Sequence, residues 1–482
     1  MARTIHQRHF PSFLPRGEPG GSCPWICWGD LPEGQSDYSP IRTWQIQADL
    51  YGGDIVGKTG IERVYEDELQ GLKGFKRVVV NSRGRVVQEL GMDRSPRHGR
   101  DIRLTLDLGL QQVLERSLKD KVGAAVFLNP WNGEVLAMAS APAFEPNLFA
   151  RRFPPRKWHD LVADAHRPLQ NRATLSHYSP GSTFKLVVAA AALEAGIITP
   201  STTIDCPGYA VIYGHRFHCH KRSGHGQIDL TDAIVHSCNV YFYKVGKTLG
   251  IERLAREARR LGLGEKTGVD LVFENAGLVP TPEWKRTVRG QPWYPGETIS
   301  VAIGEGPLSV TPLQMARMAA MLANGGRKIT PHLRMRGLPA AVRRPVPQER
   351  TGGFRRQTRE ALTRAMVEVV SRGTALRVSL PGIQVAAKTG TAQFSSRSVG
   401  VDADRLPYEI RDHAWLIGFA PAESPTIAFA VFIEHGGHGG TVAAPVARQV
   451  LAHFFGLVAG EKTHPLLART GVGRGESGAG AP

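Results

Sequence analysis

The sequence predicts an α+β fold: an antiparallel sheet covered by helices, interrupted by an all-helical stretch. Three observations carry that expectation. Two apolar runs, Ala124 to Leu128 and Val135 to Ala139, flank the turn Asn129-Pro-Trp-Asn-Gly133, which is a hairpin signature. Residues 182–375 are helix-rich, with Gly and Pro interruptions. Ile383 to Phe394, His413 to Ala420 and Thr426 to Glu434 then read as three strands, followed by a helix from Ala444 to Leu457.

Taken in order, residues 1–50 mix Pro, Gly, Ser and Trp without period, and the expectation there is loop or disorder. Within 51–100, Arg77 to Val80 and Arg85 to Leu90 are strand-like around Ser82-Arg83-Gly84, so this stretch reads as a small β-containing module. The third unit, residues 101–460, opens with Arg103 to Leu106 read as a strand. Asp107 then caps a helix whose apolar positions Leu110, Val113, Leu114 and Leu118 keep helical spacing. Residues 461–482, rich in Gly and Ala, read as a flexible tail. No internal repeat at a fixed period is evident.

Composition bounds the function classes. With 482 residues there is room for one large domain and a smaller one. The net charge of +17, from 60 Lys and Arg against 43 Asp and Glu, favours an anionic partner. The basic residues are dispersed and no nucleic-acid motif with interleaved aromatics is present, so nucleic acid is not the expected partner. The longest clean apolar runs, Leu186 to Leu193 and Ile427 to Ile433, fall far short of the ~18 residues of a membrane span. Met1 to Gly20 lacks the apolar stretch of a signal peptide. Five cysteines are too few and too scattered for a disulfide scaffold.

Three short motifs point to one chemistry. Ser182-Thr-Phe-Lys185 opens a helix, which puts a hydroxyl and an amine on one face. A serine hydroxyl needs a base to become a nucleophile, and a partly desolvated lysine one turn away can be that base. Ser237-Cys238-Asn239 lies between two helical stretches and supplies a hydroxyl for proton relay and an amide for a substrate peptide group. Lys388-Thr389-Gly390-Thr391 falls in a strand, where Gly390 is unwelcome unless another backbone comes close. A strand edge with Lys388, Thr389 and Thr391 suits an extended peptide ending in a carboxylate. Each motif alone reads better as surface decoration than as a site. Together, in this order, they are the established signature of β-lactamases and penicillin-binding proteins.

The surrounding text resembles class B penicillin-binding proteins of the elongation type, the penicillin-binding protein 2 group. The likeness runs through Gly57-Lys-Thr-Gly-Ile-Glu-Arg63, Tyr65-Glu-Asp67, Val80-Asn-Ser-Arg-Gly-Arg85, Asn171-Arg-Ala173, Pro292-Trp-Tyr-Pro-Gly296, Gly304-Glu-Gly306, Thr311-Pro-Leu-Gln-Met315, Lys388-Thr-Gly-Thr-Ala-Gln393 and Arg411-Asp-His413. The resemblance implies the penicillin-binding transpeptidase fold on a partial N-terminal pedestal of dimerisation type, at residues 51–100. It implies a serine D,D-transpeptidase that cross-links peptidoglycan stem peptides during cell elongation and is acylated by β-lactam antibiotics. Carried over, Ser182 is the nucleophile, Lys185 its general base, Ser237 the proton relay and Asn239 a substrate contact. Lys388, Thr389 and Thr391 hold the terminal carboxylate beside Gly390, with the backbone N–H groups of Ser182 and Thr391 as oxyanion hole. The resemblance further implies a SEDS-type, RodA-like glycan polymerase and an elongation complex as partners, at the periplasmic face of the inner membrane. Family members begin with a cytoplasmic segment, a membrane anchor and the first half of the pedestal. The family-like text here starts near Tyr51, so the expectation is a shortened chain. A D,D-carboxypeptidase and a serine β-lactamase, both of the same superfamily, are the alternatives.

Cys206, Cys219, His225 and Cys238 form a further set, in a stretch also holding His215, His218 and His220. Three thiolates and an imidazole suit structural zinc in a closed tetrahedral site. The resemblance points the same way, since some members of the group hold zinc here. A disulfide between two of the cysteines, or buried free thiols, are the alternatives that the residues leave open.

Overall fold

The computed structural model describes residues 56–83, 85–149, 154–335, 353–393 and 407–457. The expectations for residues 1–50 and 461–482 fall outside the described residues. Two short helical turns, Gly60–Val64 and Glu66–Leu69, lead into an antiparallel hairpin of β1 (Phe75–Val80) and β2 (Val86–Arg94). Every residue of β2 is exposed, Val87 and Met92 included. Strand β2 therefore adds nothing to the core, and from this arm only Ile61 and Val78, among the described residues, are buried hydrophobics.

Residues 103–106 do not form a strand. Thr105 N donates to Leu333 O and Met335 N donates to Arg103 O, but the facing segment is itself irregular, so only one bridge forms, Leu104 with Arg334. Asp107 behaves as its residue type dictates: its Oδ1 accepts from Leu110 N at 2.7 Å and caps α1 (Leu108–Ser117). The expected hairpin follows as β3 (Gly123–Leu128) and β4 (Val135–Ala141), paired antiparallel.

After α2 (Lys185–Glu194) comes a feature that the helix-rich reading missed. Residues 204–228 form two small antiparallel pairs, β5 (Ile204–Cys206) with β8 (Gly226–Ile228) and β6 (Tyr209–Ile212) with β7 (His215–His218). Strands of three or four residues carry too little alternation to register as a period. Helices α3 (Leu230–Val235), α4 (Asn239–Arg260), α5 (Pro295–Val301), α6 (Pro312–Ala323) and α7 (Arg356–Arg372) complete the middle of the chain. The Thr311-Pro-Leu-Gln motif is a capping box. Thr311 Oγ1 accepts from Gln314 N at 3.2 Å, and Gln314 Oε1 accepts from Thr311 N at 2.9 Å, with Pro312 at the first helical position.

Strands β9 (Ala386–Ala392), β10 (His413–Ala420) and β11 (Ile427–Ile433) join the early hairpin in one antiparallel sheet of order β4-β3-β11-β10-β9. Helix α8 (Gly439–Phe454) starts five residues earlier than expected, because Gly439-Gly440 reads as a turn in sequence. All positions of β3, β10 and β11 are buried, so both faces of the sheet are covered. Helices α1 and α8 pack together on β4, β10 and β11, while α6 packs on β3, β10 and β11. Since α6 and α8 share strands without packing on each other, they lie on opposite faces. All twelve residues of α6 are buried, which places it at the centre of the molecule. Strand β9 is left as the edge of the sheet, against which the turn before α2 is seated.

Candidate active site and metal cluster

Ser182 lies in a 3₁₀ turn, Gly181–Phe184, and Lys185 begins α2. The turn is pressed onto β9. Gly181 has φ +53°, and a Cβ there would sit 2.5 Å from Thr391 O. From the strand side, a Cβ on Gly390 would meet Pro180 O at 2.9 Å and Trp415 Cβ at 3.0 Å. The close backbone approach expected at Gly390 is thus made by the turn that carries Ser182. Trp415 Nε1 donates to Ser179 O at 3.0 Å and adds a second tie. Ser182 is left partly exposed at the edge strand, beside the Thr391 backbone.

Lys185 is fully buried and donates to three oxygens of one loop: Ser237 O at 2.7 Å, Ser237 Oγ at 3.1 Å and Asn239 Oδ1 at 2.6 Å. Lys388, also fully buried, donates to Ser237 Oγ at 3.1 Å and to Thr389 O at 3.0 Å. One hydroxyl therefore takes donors from two amines, so its own proton must point elsewhere. Burial lowers the Lys185 pKa to about 8, opposed by the nearby Cys238, Cys219 and Glu305. Burial and the neighbouring Lys185 hold Lys388 well below the usual lysine range. Ser237 has φ +53°, a left-handed conformation that non-glycine residues rarely take. That twist turns Ser237 and Asn239 towards the lysines.

The depth of Lys388 differs from the expectation of a cation at the strand edge. Its amine is committed behind Ser237. Thr389 Oγ1 lies 2.5 Å from Thr374 Oγ1, and Thr391 is partly exposed.

Two neighbouring groups carry no role in the motifs. Glu305 follows Gly304, whose carbonyl accepts from Gly181 N at 3.0 Å, and its Oε1 accepts from Gln393 N at 3.3 Å. Burial pushes the Glu305 carboxyl up to about 7. Arg172 Nε and Tyr178 Oη both donate to Glu434 Oε1, at 2.8 and 2.6 Å, and tie the segment before Ser182 to the end of β11. No motif in the sequence flags Glu434, and Glu305 is flanked only by glycines.

Cys206, Cys219, His225 and Cys238 converge, with ligand atoms all within 4.8 Å of one another, and the three cysteines are buried. Cys219 Sγ is 4.0 Å from Cys238 Sγ, and His225 Nδ1 is 3.5 Å from Cys206 Sγ and 3.6 Å from Cys219 Sγ. Around tetrahedral zinc, with the usual bond lengths, sulfurs lie ~3.8 Å apart and sulfur and nitrogen ~3.6 Å apart. A disulfide needs sulfurs at ~2.05 Å, and the three cysteines are free here. The hydrogen bond between Cys219 and Cys238 holds the first thiol low and the second high, while burial lowers the pKa of His225 and keeps it neutral. The donor set fits a divalent metal. Among the other histidines of this stretch, His220 approaches Cys219 at 3.8 Å but lies outside the four-residue group.

With this geometry established, comparison with known proteins decides the family. The model of the penicillin-binding protein transpeptidase domain matches residues 123–452, and that of the penicillin-binding protein dimerisation domain matches residues 42–104. The chain belongs to the penicillin-binding protein transpeptidase family. The peptidoglycan D,D-transpeptidase MrdA of Acinetobacter baumannii is 39% identical over 85% of this chain and 62% of its own length. The chain thus spans less than two thirds of that curated relative. A crystal structure of Pseudomonas aeruginosa PBP2 in complex with WCK 5153 is 38% identical with a TM-score of 0.73, covering 85% of this chain and 84% of that one. A structure described as a peptidoglycan synthase complex that coordinates polymerization and crosslinking is 39% identical with a TM-score of 0.73, covering 85% of this chain and 72% of that one. The five-stranded sheet presents its edge strand to the turn that carries Ser182. No helix among the described residues is long and apolar enough to cross a membrane.

Proposed function

We propose that the chain is a serine D,D-transpeptidase that cross-links peptidoglycan stem peptides during cell elongation. The single observation that carries this reading is the Ser237 hydroxyl held between Lys388 and Lys185, the residue that begins α2 directly after the turn carrying Ser182. Ser182 Oγ attacks the carbonyl of a D-Ala-D-Ala terminus, and neutral Lys185 takes its proton. The Ser182 and Thr391 N–H groups receive the oxyanion, Thr389 and Thr391 hold the terminal carboxylate, and Asn239 orients the substrate amide. Ser237, whose proton is directed away from both lysines, hands that proton to the departing D-Ala nitrogen and is resupplied by Lys185, at 3.1 Å, with the proton it took from Ser182. The acyl group on Ser182 then passes to the amine of a second stem peptide. A β-lactam stops at the acyl stage on the same serine.

Cys206, Cys219, His225 and Cys238 would hold a structural zinc ion, whose chemistry here is to neutralise the thiolates and fix their positions. Because Cys238 stands between Ser237 and Asn239, that set clamps the catalytic loop from behind. The reading extends to partners and place: a glycan polymerase within an elongation complex, at the periplasmic face of the inner membrane, supported by the likeness to the peptidoglycan synthase complex.

The test is turnover of a thioester D-alanyl donor in the presence of an amine acceptor. The native chain is expected to release thiol and form amide product, and Ser182→Ala is expected to do neither. Equal product from Ser182→Ala ends the proposal.

A further inference from the structure

Glu305 stands beside the nucleophile without a part in acylation. The Gly181–Gly304 hydrogen bond fixes it one residue from the turn that carries Ser182, and its contact with Gln393 N places its carboxylate just past the Thr391 end of β9. Lys185 from α2, Tyr243 from α4 and Asp412 before β10 lie within its field. Among the described residues its carboxylate forms no salt bridge, and part of the side chain reaches solvent. A mostly buried carboxylate that feels Lys185 without a direct ion pair, at the mouth of a site that consumes an amine, suits a cationic group arriving from outside.

The second half-reaction supplies such a group. Resting on the transpeptidase reading above, the acceptor amine arrives as an ammonium ion, since alkylamines titrate at ~10. To become an amide nitrogen it must lose two protons. One ends on Ser182 Oγ when that oxygen leaves, and the Lys185–Ser237 network carries it. The other needs a second base. We propose that Glu305 binds the acceptor ammonium and takes this other proton.

In that step an N–H bond breaks and an O–H bond forms on Glu305. The freed nitrogen lone pair attacks the acyl carbon, the remaining excess proton passes through Lys185 to Ser182 Oγ as the C–Oγ bond breaks, and Glu305 returns its proton to water. The ordinary position of a carboxyl would make Glu305 a weak base at neutral pH. Burial, with Asp412 adding to it, raises the carboxyl to about 7 and brings it closer to the amine.

The test uses one acyl donor and two acceptors. A thioester D-alanyl donor is mixed with glycinamide, which must lose two protons, or with methanol, which must lose one, and products are read by mass spectrometry at pH 7. Glu305→Gln is expected to lower the ratio of amide to methyl ester by about tenfold or more, and the deficit is expected to shrink at pH 9 as free amine becomes abundant. A ratio within about twofold of the native chain overturns the proposal. Penicillin labelling of the same samples reports an assembled site. Should Glu305→Gln fail to label, Glu305→Asp is read instead. A moved pH midpoint for amide formation supports the proposal, and an unmoved midpoint with an unchanged ratio overturns it. Loss of all transfer in the native chain strikes the transpeptidase reading and not this assignment.

Discussion

The two sides of the Ser237-Cys238-Asn239 loop use opposite chemistry. Facing α2, two buried amines share one hydroxyl, and burial drives both away from the charged state. Facing the β5–β8 strands, three buried thiols and an imidazole wait for positive charge. Ser237, held in a left-handed conformation, sends consecutive side chains in the two directions. The difference teaches that three consecutive residues can present oxygens to buried amines on one side and a thiol to a Cys–His set on the other. Under the proposed zinc assignment, metal content is coupled to the placement of Ser237 and Asn239.

The comparison is broken most severely at Lys185. Replacing it with Ala removes the base for Ser182, and stopped-flow acylation by a fluorescent penicillin is expected to slow by ~10³-fold. Retention of the native rate would place the base elsewhere.

A smaller loss is expected from the other side of the loop. Cys219→Ser, or exhaustive treatment with a strong chelator, is expected to release the zinc and slow acylation by ~10²-fold through misplacement of Ser237 and Asn239. Metal analysis and acylation kinetics on the same samples check this. Purified native protein with far less than one zinc per chain contradicts the metal assignment.

The mildest probe is pH. Burial moves the Lys185 pKa down from 10.5 to about 8, so its neutral form, scarce at pH 7, predominates by pH 9. The acylation rate of the native chain is expected to rise by about tenfold across that range, and Lys185→Ala is expected to lack this limb. A flat native profile would show that Lys185 is not the titrating base.

The two sides also differed in how far they could be read from the residues. Ser182 and Lys185 are separated by one helical turn, so their proximity followed from local geometry alone. Their meeting with Ser237 and Lys388 followed only from the known order of the three motifs, because nothing local brings a helical loop to a distant strand. The Cys and His set was legible by residue type, although the β5–β8 strands that bring it together were hidden in a stretch read as helical. Local signals misled at Arg103 to Leu106, whose extended backbone has an irregular neighbour and so cannot form a ladder. They also misled at Lys388, whose position on an edge strand suggested solvent although its side chain points inward. Glu305 and Glu434 owe their surroundings entirely to tertiary packing; the Gly304-Glu-Gly306 segment marks Glu305 only as part of the resemblance, without a role.

The claim on which the rest depends is that Ser182 is the acylated nucleophile. The native chain is incubated with benzylpenicillin, digested and mapped by tandem mass spectrometry. The structure predicts a single penicilloyl adduct per chain, on the peptide containing Ser182, and none on the Ser182→Ala variant. An adduct on any other residue, or an undiminished adduct on Ser182→Ala, would contradict it.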